Sequence, residues 1–169
     1  YMYLPWNSVL HKVPDGLSPE LAGVVTPMAN GIQWALFDCD VGYDSRVLIQ
    51  GPGQQGLSQL VACKQAGASL IIITGTSKDT ARMEVARNLG ADCVINVDEE
   101  DPLEKINEVT GGEGVDLICE VDFGGNIAIT EQVTKVNGCV SIYASKGELN
   151  PVVPMNVFMT KNIKVWPFV

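Results

Sequence analysis

A short apolar run, Arg46-Val-Leu-Ile-Gln50, ends in Gly51-Pro-Gly-Gln-Gln-Gly56, and a helical pattern starts directly after it. Three glycines at this spacing, between a strand and a helix, suit one kind of chemistry: holding a pyrophosphate with the main chain. Gly51 permits the tight turn, Gly53 lets the backbone approach the phosphates, and Gly56 lets helix and strand pack closely. Gln54 and Gln55 fill the intervening positions. The helix start adds N–H groups and a partial positive charge. An ordinary glycine-rich turn has the same letters, so the surrounding elements must decide.

A second group of residues follows the next apolar run. A site selective for NAD usually places Asp or Glu there, about 20 residues beyond the glycine loop, to take the ribose hydroxyls. Here the run ends Thr74-Gly75-Thr76-Ser77 with no carboxylate. Gly75 leaves space, Thr76 and Ser77 offer hydroxyls, and Lys78 and Arg82 could reach a 2′-phosphate, which an Arg fork suits. This predicts NADP as cofactor, with NAD the alternative. Asp79 works against a phosphate site, and Lys78 and Arg82 also read as solvated charges at a helix start. Asn96 stands either near the adenine or in a turn. His11 is the only histidine and has no acid or nucleophile at useful spacing, so it reads as a loop residue. Glu120 reads as a buried charge with local partners. The sequence offers no catalytic proton donor, nucleophile or metal site.

The totals narrow the class. The 169 residues suffice for one domain with a core. Hydrophobic residues make up 46% and charged ones 18%, as in a soluble globular protein. A net charge of −9 argues against a nucleic-acid or anionic-membrane surface. Five cysteines form no C-x-x-C pair, which points to a reducing compartment and predicts a cytoplasmic location. No signal peptide or membrane-spanning run is read. The start at Tyr1, without Met, suggests a piece of a longer protein.

The glycine loop needs a particular frame, and the chain supplies its pattern. Ser18-Pro19-Glu20 opens a helix, and 24–37 is a longer helical segment with Met28, Ile32 and Ala35 on one face. From Arg46 onward strands and helices alternate. Strands are expected at 47–50, 69–74, 93–95, 115–121, 139–143 and 163–166. Helices are expected at 54–65, 79–89 and from Asp101 to Gly111, and through Ile129, Val133 and Val136 until Gly138. Met83, Ala86 and Leu89 should point inward. This alternation predicts an α/β doubly wound parallel sheet, a Rossmann fold of order 3-2-1-4-5-6 with helices on both faces. A ligand would lie at the carboxyl ends of the strands, over the switch point between strands one and four.

Several stretches together resemble a known family: Lys12-Val-Pro-Asp-Gly16, Gly51-Pro-Gly-Gln-Gln-Gly-Leu57, Thr74-Gly-Thr76 with Arg82, Leu89-Gly-Ala-Asp92 with Val94-Ile-Asn96, and Thr110-Gly-Gly-Glu-Gly-Val-Asp116. In this order they are similar to the nucleotide-binding domain of medium-chain dehydrogenases/reductases, the alcohol-dehydrogenase-like superfamily. The resemblance implies that Val121 and Asp122, with Phe123, and Tyr143 and Ala144, with Ser145, approach the cofactor. It implies a catalytic domain upstream, of which residues 1–25 would be the remnant, with 26–169 the dinucleotide-binding domain. Zinc-dependent members place a Cys or Glu ligand near Thr26. A hydroxyl is a poor zinc ligand, so zinc is not expected in this chain. Family members also pair strands near Ile163–Trp166 across a two-fold axis, which predicts a homodimer.

The expected function is cofactor binding for an oxidoreductase that moves hydride between nicotinamide and an alcohol, carbonyl or enone. Alone, the chain should bind cofactor and turn over little. The alternative is a nucleotide-sensing or interaction module on the same fold. A methyltransferase is disfavoured by the Gly-Pro-Gly loop and the missing acid after strand two.

Overall fold

The β-branched runs become the sheet. The structure, a computed structural model, describes residues 2–144, 147–148 and 150–167. Six strands, β1 (Arg46–Gln50), β2 (Leu70–Gly75), β3 (Cys93–Asn96), β4 (Val115–Glu120), β5 (Thr134–Ile142) and β6 (Lys164–Pro167), form one parallel sheet. Its order is β3-β2-β1-β4-β5-β6, as the alternation predicts. Leu48 of β1 sits between Ile72 of β2 and Ile118 of β4, so the direction of winding reverses at β1.

Parallel neighbours need crossovers, and helices supply them. These are α3 (Gln54–Gln65), α4 (Thr80–Asn88), α5 (Pro102–Thr110) and α6 (Phe123–Val133), preceded by α1 (Pro19–Ala22) and α2 (Val25–Ile32) and followed by α7 (Met155–Thr160). Alternate strand residues feed two cores. Val47, Ile49, Ile71, Ile73, Leu117 and Cys119 pack with Leu60 and Cys63 of α3. Leu48, Ile72, Ile118 and Val140 pack on the other face with Ile106 of α5 and Val133 of α6. Burial on both faces explains the unbroken apolar runs. The caps fall where the residue types ask for them: Ser18 Oγ accepts from Leu21 N–H at 3.2 Å, and Asp101 Oδ1 accepts from Leu103 N–H at 2.8 Å.

The segment after α2 departs from expectation. The chain leaves the α-helix for a π-helical turn over Gln33–Phe37, closed by Asp38 N–H on the Gln33 carbonyl at 3.0 Å. Pro27, Gly31 and Ala35 are buried, whereas Ile32 stays 39% exposed. The reason is the close crossing with α3: a Cβ at Gly31 would stand 2.8 Å from the Ser58 backbone carbon. The contact line therefore runs through the small residues rather than through Met28 and Ile32.

Two other expectations are corrected. Leu89 is 39% exposed, one residue beyond the end of α4. α6 stops at Val133, so Val136 and Gly138 belong to β5. Lys161 Nζ donates to the carbonyls of Glu131, Gln132 and Thr134 at 2.7, 3.1 and 2.9 Å, which closes that helix end. α7 had no counterpart in the sequence reading.

Candidate nucleotide-binding site

The loop between β1 and α3 is built by two glycines that accept nothing larger. Gly51 has φ +114°, a conformation rare for other residues. A Cβ on Gly56 would lie 2.1 Å from the Gly51 carbonyl oxygen and 3.1 Å from Ile49 Cγ2. Gly53 occupies the N-cap with no side-chain cap, so the first-turn N–H groups of α3 face the loop side. Gly51 N–H donates to the Thr74 carbonyl at 3.1 Å, which ties the loop to the end of β2.

Two cavities of about 390 and 430 Å³ meet at Gly51, Asp79 and Val121. One is lined by Gly53, Gln54, Gln55, Gly56, Arg82, Tyr143 and Ala144; the other by Gly75 and Thr76 with Gln50, Asn126 and Ile129. Both lie at the carboxyl ends of the strands, over the β1–β4 switch point. The structure thus brings eleven of the residues singled out in the sequence to one cleft. Ser77, Lys78 and Asp122 line neither cavity. Ser145 lies outside the described residues.

The end of β2 is more acidic than its sequence suggested. Asp79 accepts from Thr76 N–H at 3.2 Å and from Thr76 Oγ1 at 2.8 Å, and pairs with Arg82 Nη1 at 3.1 Å. The Thr76 hydroxyl, above all, holds the Asp79 carboxyl below the usual carboxylate range. Ser77 N–H donates to Asp98 Oδ2 at 2.8 Å, and Asn96 Nδ2 donates to Ser77 Oγ at 3.1 Å. Asn96 closes β3, and its Oδ1 accepts from Asp98 N–H at 3.2 Å, where the chain turns after the strand. Asp122 Oδ1 accepts from Gly147 N–H at 2.7 Å, so it braces a loop.

Tyr143 forms part of the wall. Its ring stacks on Trp34 with centroids 5.1 Å apart and 17° between planes. Burial pushes its phenol well above the ordinary range. Glu120 is the buried charge with local partners that the sequence predicts. Gln50 and Asn126 carry no sequence signal of their own.

The family model described as Zinc-binding dehydrogenase matches residues 56–169. An L-threonine 3-dehydrogenase of Bacillus velezensis is 38% identical over 121 residues, covering 72% of this chain and 34% of that protein. The 2R,3R-butanediol dehydrogenase structure from Bacillus subtilis superposes with TM-score 0.78 at 28% identity, covering 94% of this chain and 45% of that one. Benzyl alcohol dehydrogenase from Acinetobacter calcoaceticus gives TM-score 0.77 at 27% identity, covering 94% and 44%. This chain thus spans between a third and a half of these relatives. The glycine loop, the strand order and the family match agree: the chain belongs to the zinc-binding dehydrogenases of the medium-chain dehydrogenase/reductase superfamily and has the fold of their nucleotide-binding half.

Proposed function

We propose that the chain binds a nicotinamide dinucleotide across the β1–β4 switch point and orients it for hydride exchange with an alcohol, carbonyl or enone substrate in the whole enzyme. The observation that carries this reading is the Gly51–Gly56 loop, closed to any side chain at Gly56 and opening onto both cavities at an uncapped helix start. Gly51, Gly53, Gln54, Gln55 and Gly56 hold the pyrophosphate; Gly75, Thr76 and Asp79 face the adenosine ribose; Val121, Tyr143 and Ala144 wall the nicotinamide side. The bound cofactor supplies the hydride chemistry, and this chain's share is binding and orientation.

The surroundings of β2 support NAD over NADP, against the choice read from Lys78 and Arg82. Arg82 is engaged by Asp79, and the Ser77 amide by Asp98. Two carboxylates repel a 2′-phosphate, while Asp79 can accept from a ribose hydroxyl. Calorimetric titration should give NAD an affinity about tenfold or more above NADP. Equal affinities would sink the selectivity, and failure to bind either would sink the cofactor reading.

Thr26 is exposed in the first turn of α2 and fits zinc poorly. We therefore assign this chain no zinc ligand at that point. Residues 1–25 are read as belonging to a catalytic domain and 26–169 as the cofactor domain. The exposure of Met2, Tyr3, Trp6 and Val9, each above 80%, supports a partner surface for that stretch. The five free cysteines support a reducing, cytoplasmic setting. Among the described residues, no helix is long and apolar enough to cross a membrane.

A further inference from the structure

The register of the sheet sets two polar side chains side by side in the core. Gln50 ends β1 and Glu120 ends β4, and they are partners across the parallel pair. Gln50 is 4% exposed and Glu120 not at all. Glu120 Oε2 accepts from Gln50 Nε2 at 2.6 Å and from Thr130 Oγ1 at 3.4 Å. Its Oε1 accepts from Asn126 Nδ2 and from Asp122 N–H, both at 2.8 Å. Four donors converge on one group, and only a carboxylate accepts from all four. Glu120 reaches neither cavity, yet Gln50, Asn126 and Val121 line the cleft.

We propose that Glu120 is a positioning residue for the cofactor: its ionised carboxylate fixes Gln50, Asn126 and the Val121–Asp122 turn, and protonation releases them and weakens dinucleotide binding. The inference rests on the dinucleotide reading above. Protonation puts a hydrogen where a donor already points, so one donor must leave or, at the Thr130 hydroxyl, reverse, and the remaining bonds lose the charge that strengthens them. The titratable groups facing Glu120 are Asp122 at the start of α6, Tyr143 after β5, and Cys119 in its own strand, and none of these is a cation. From β1 it meets Gln50, which does not titrate. Burial raises the pKa of Glu120 above the ordinary carboxyl value, while hydrogen bonds from Asn126 and the Asp122 amide oppose that rise.

The test is the affinity of the protein for NAD, titrated calorimetrically between about pH 8 and pH 4, a range that runs down to the ordinary carboxyl value. The wild type should show a one-proton loss of affinity on acidification. Asn126→Ala removes a donor to the carboxylate, so its acid limb should move to higher pH. Glu120→Gln should bind NAD about tenfold more weakly at neutral pH and lack the limb. A flat wild-type profile overturns the proposal, as does wild-type affinity in Glu120→Gln or an unmoved limb in Asn126→Ala. If Glu120→Gln does not fold, the other two proteins still decide. Absence of NAD binding at every pH overturns the dinucleotide reading and this proposal with it, whereas binding with a flat profile overturns the proposal alone.

Discussion

Asp79 joins three roles in one side chain. It caps the turn after β2 through Thr76, restrains Arg82, and faces both halves of the cleft. Asp79→Ala should free Arg82 for a 2′-phosphate and shift the NADP-to-NAD affinity ratio upward by about tenfold, since an ion pair with a phosphate replaces one with a carboxylate. Paired calorimetric titrations check this, and an unchanged ratio refutes it. The depressed pKa also links Asp79 to stability. Its contribution is present above the unfolded-state value and disappears as pH falls through the lower folded-state value. The alanine variant should therefore lose less stability than wild type across that acid window in thermal melts. The sequence shows Asp79 as an acid that works against a phosphate site, and the Thr76-x-x-Asp79 spacing is the local pattern of a capping box, which the structure forms. What the spacing does not show is that the same carboxylate also engages Arg82.

The elements were legible wherever local pattern and tertiary packing agree. Each of the six apolar runs lies in a strand, although β5 starts five residues before its run, and α3 spans the expected residues because Gly53 opens it and Gly67 follows its end. The end of α6 was not legible. Ile129, Val133 and Val136 keep helical spacing, but the helix is closed by Lys161, about thirty residues further along the chain. A partner that distant leaves no trace in a local period. α7 was missed for a related reason: it is six residues long and only Phe158 is buried. Lys161→Met should lower stability by about 1–2 kcal/mol, because three carbonyls lose a charged donor. Urea unfolding checks this: the midpoint should fall with an unchanged slope. An unmoved midpoint would show that the ammonium is a passive neighbour.

At the scale of the molecule, the sheet is closed on both faces and open at its β6 edge. All four residues of β6 are exposed, and among the described residues no strand lies along its outer side. An uncovered edge invites pairing. A two-fold axis beside β6 would extend the sheet through a second copy. Sedimentation should find dimers, and Trp166→Asp should give a folded monomer by placing like charges across the axis. A wild-type monomer at every concentration would remove the dimer. The net charge of −9 opposes association at long range, so a dimer formed this way should tighten as salt rises.

The π-helical turn at Gln33–Phe37 has a consequence of phase. An α-helix turns about 100° per residue, and a wider turn absorbs one residue without advancing the chain by a full step. Ala35 is thereby kept at the α3 contact while Trp34 reaches the Tyr143 ring. Removing one residue between Ile32 and Asp38 would restore α-helical register and swing Trp34 off the Tyr143 ring that walls the cleft. The number of residues in this connection is thus fixed by an angle rather than by a distance, and a loop that looks free to vary in length is not.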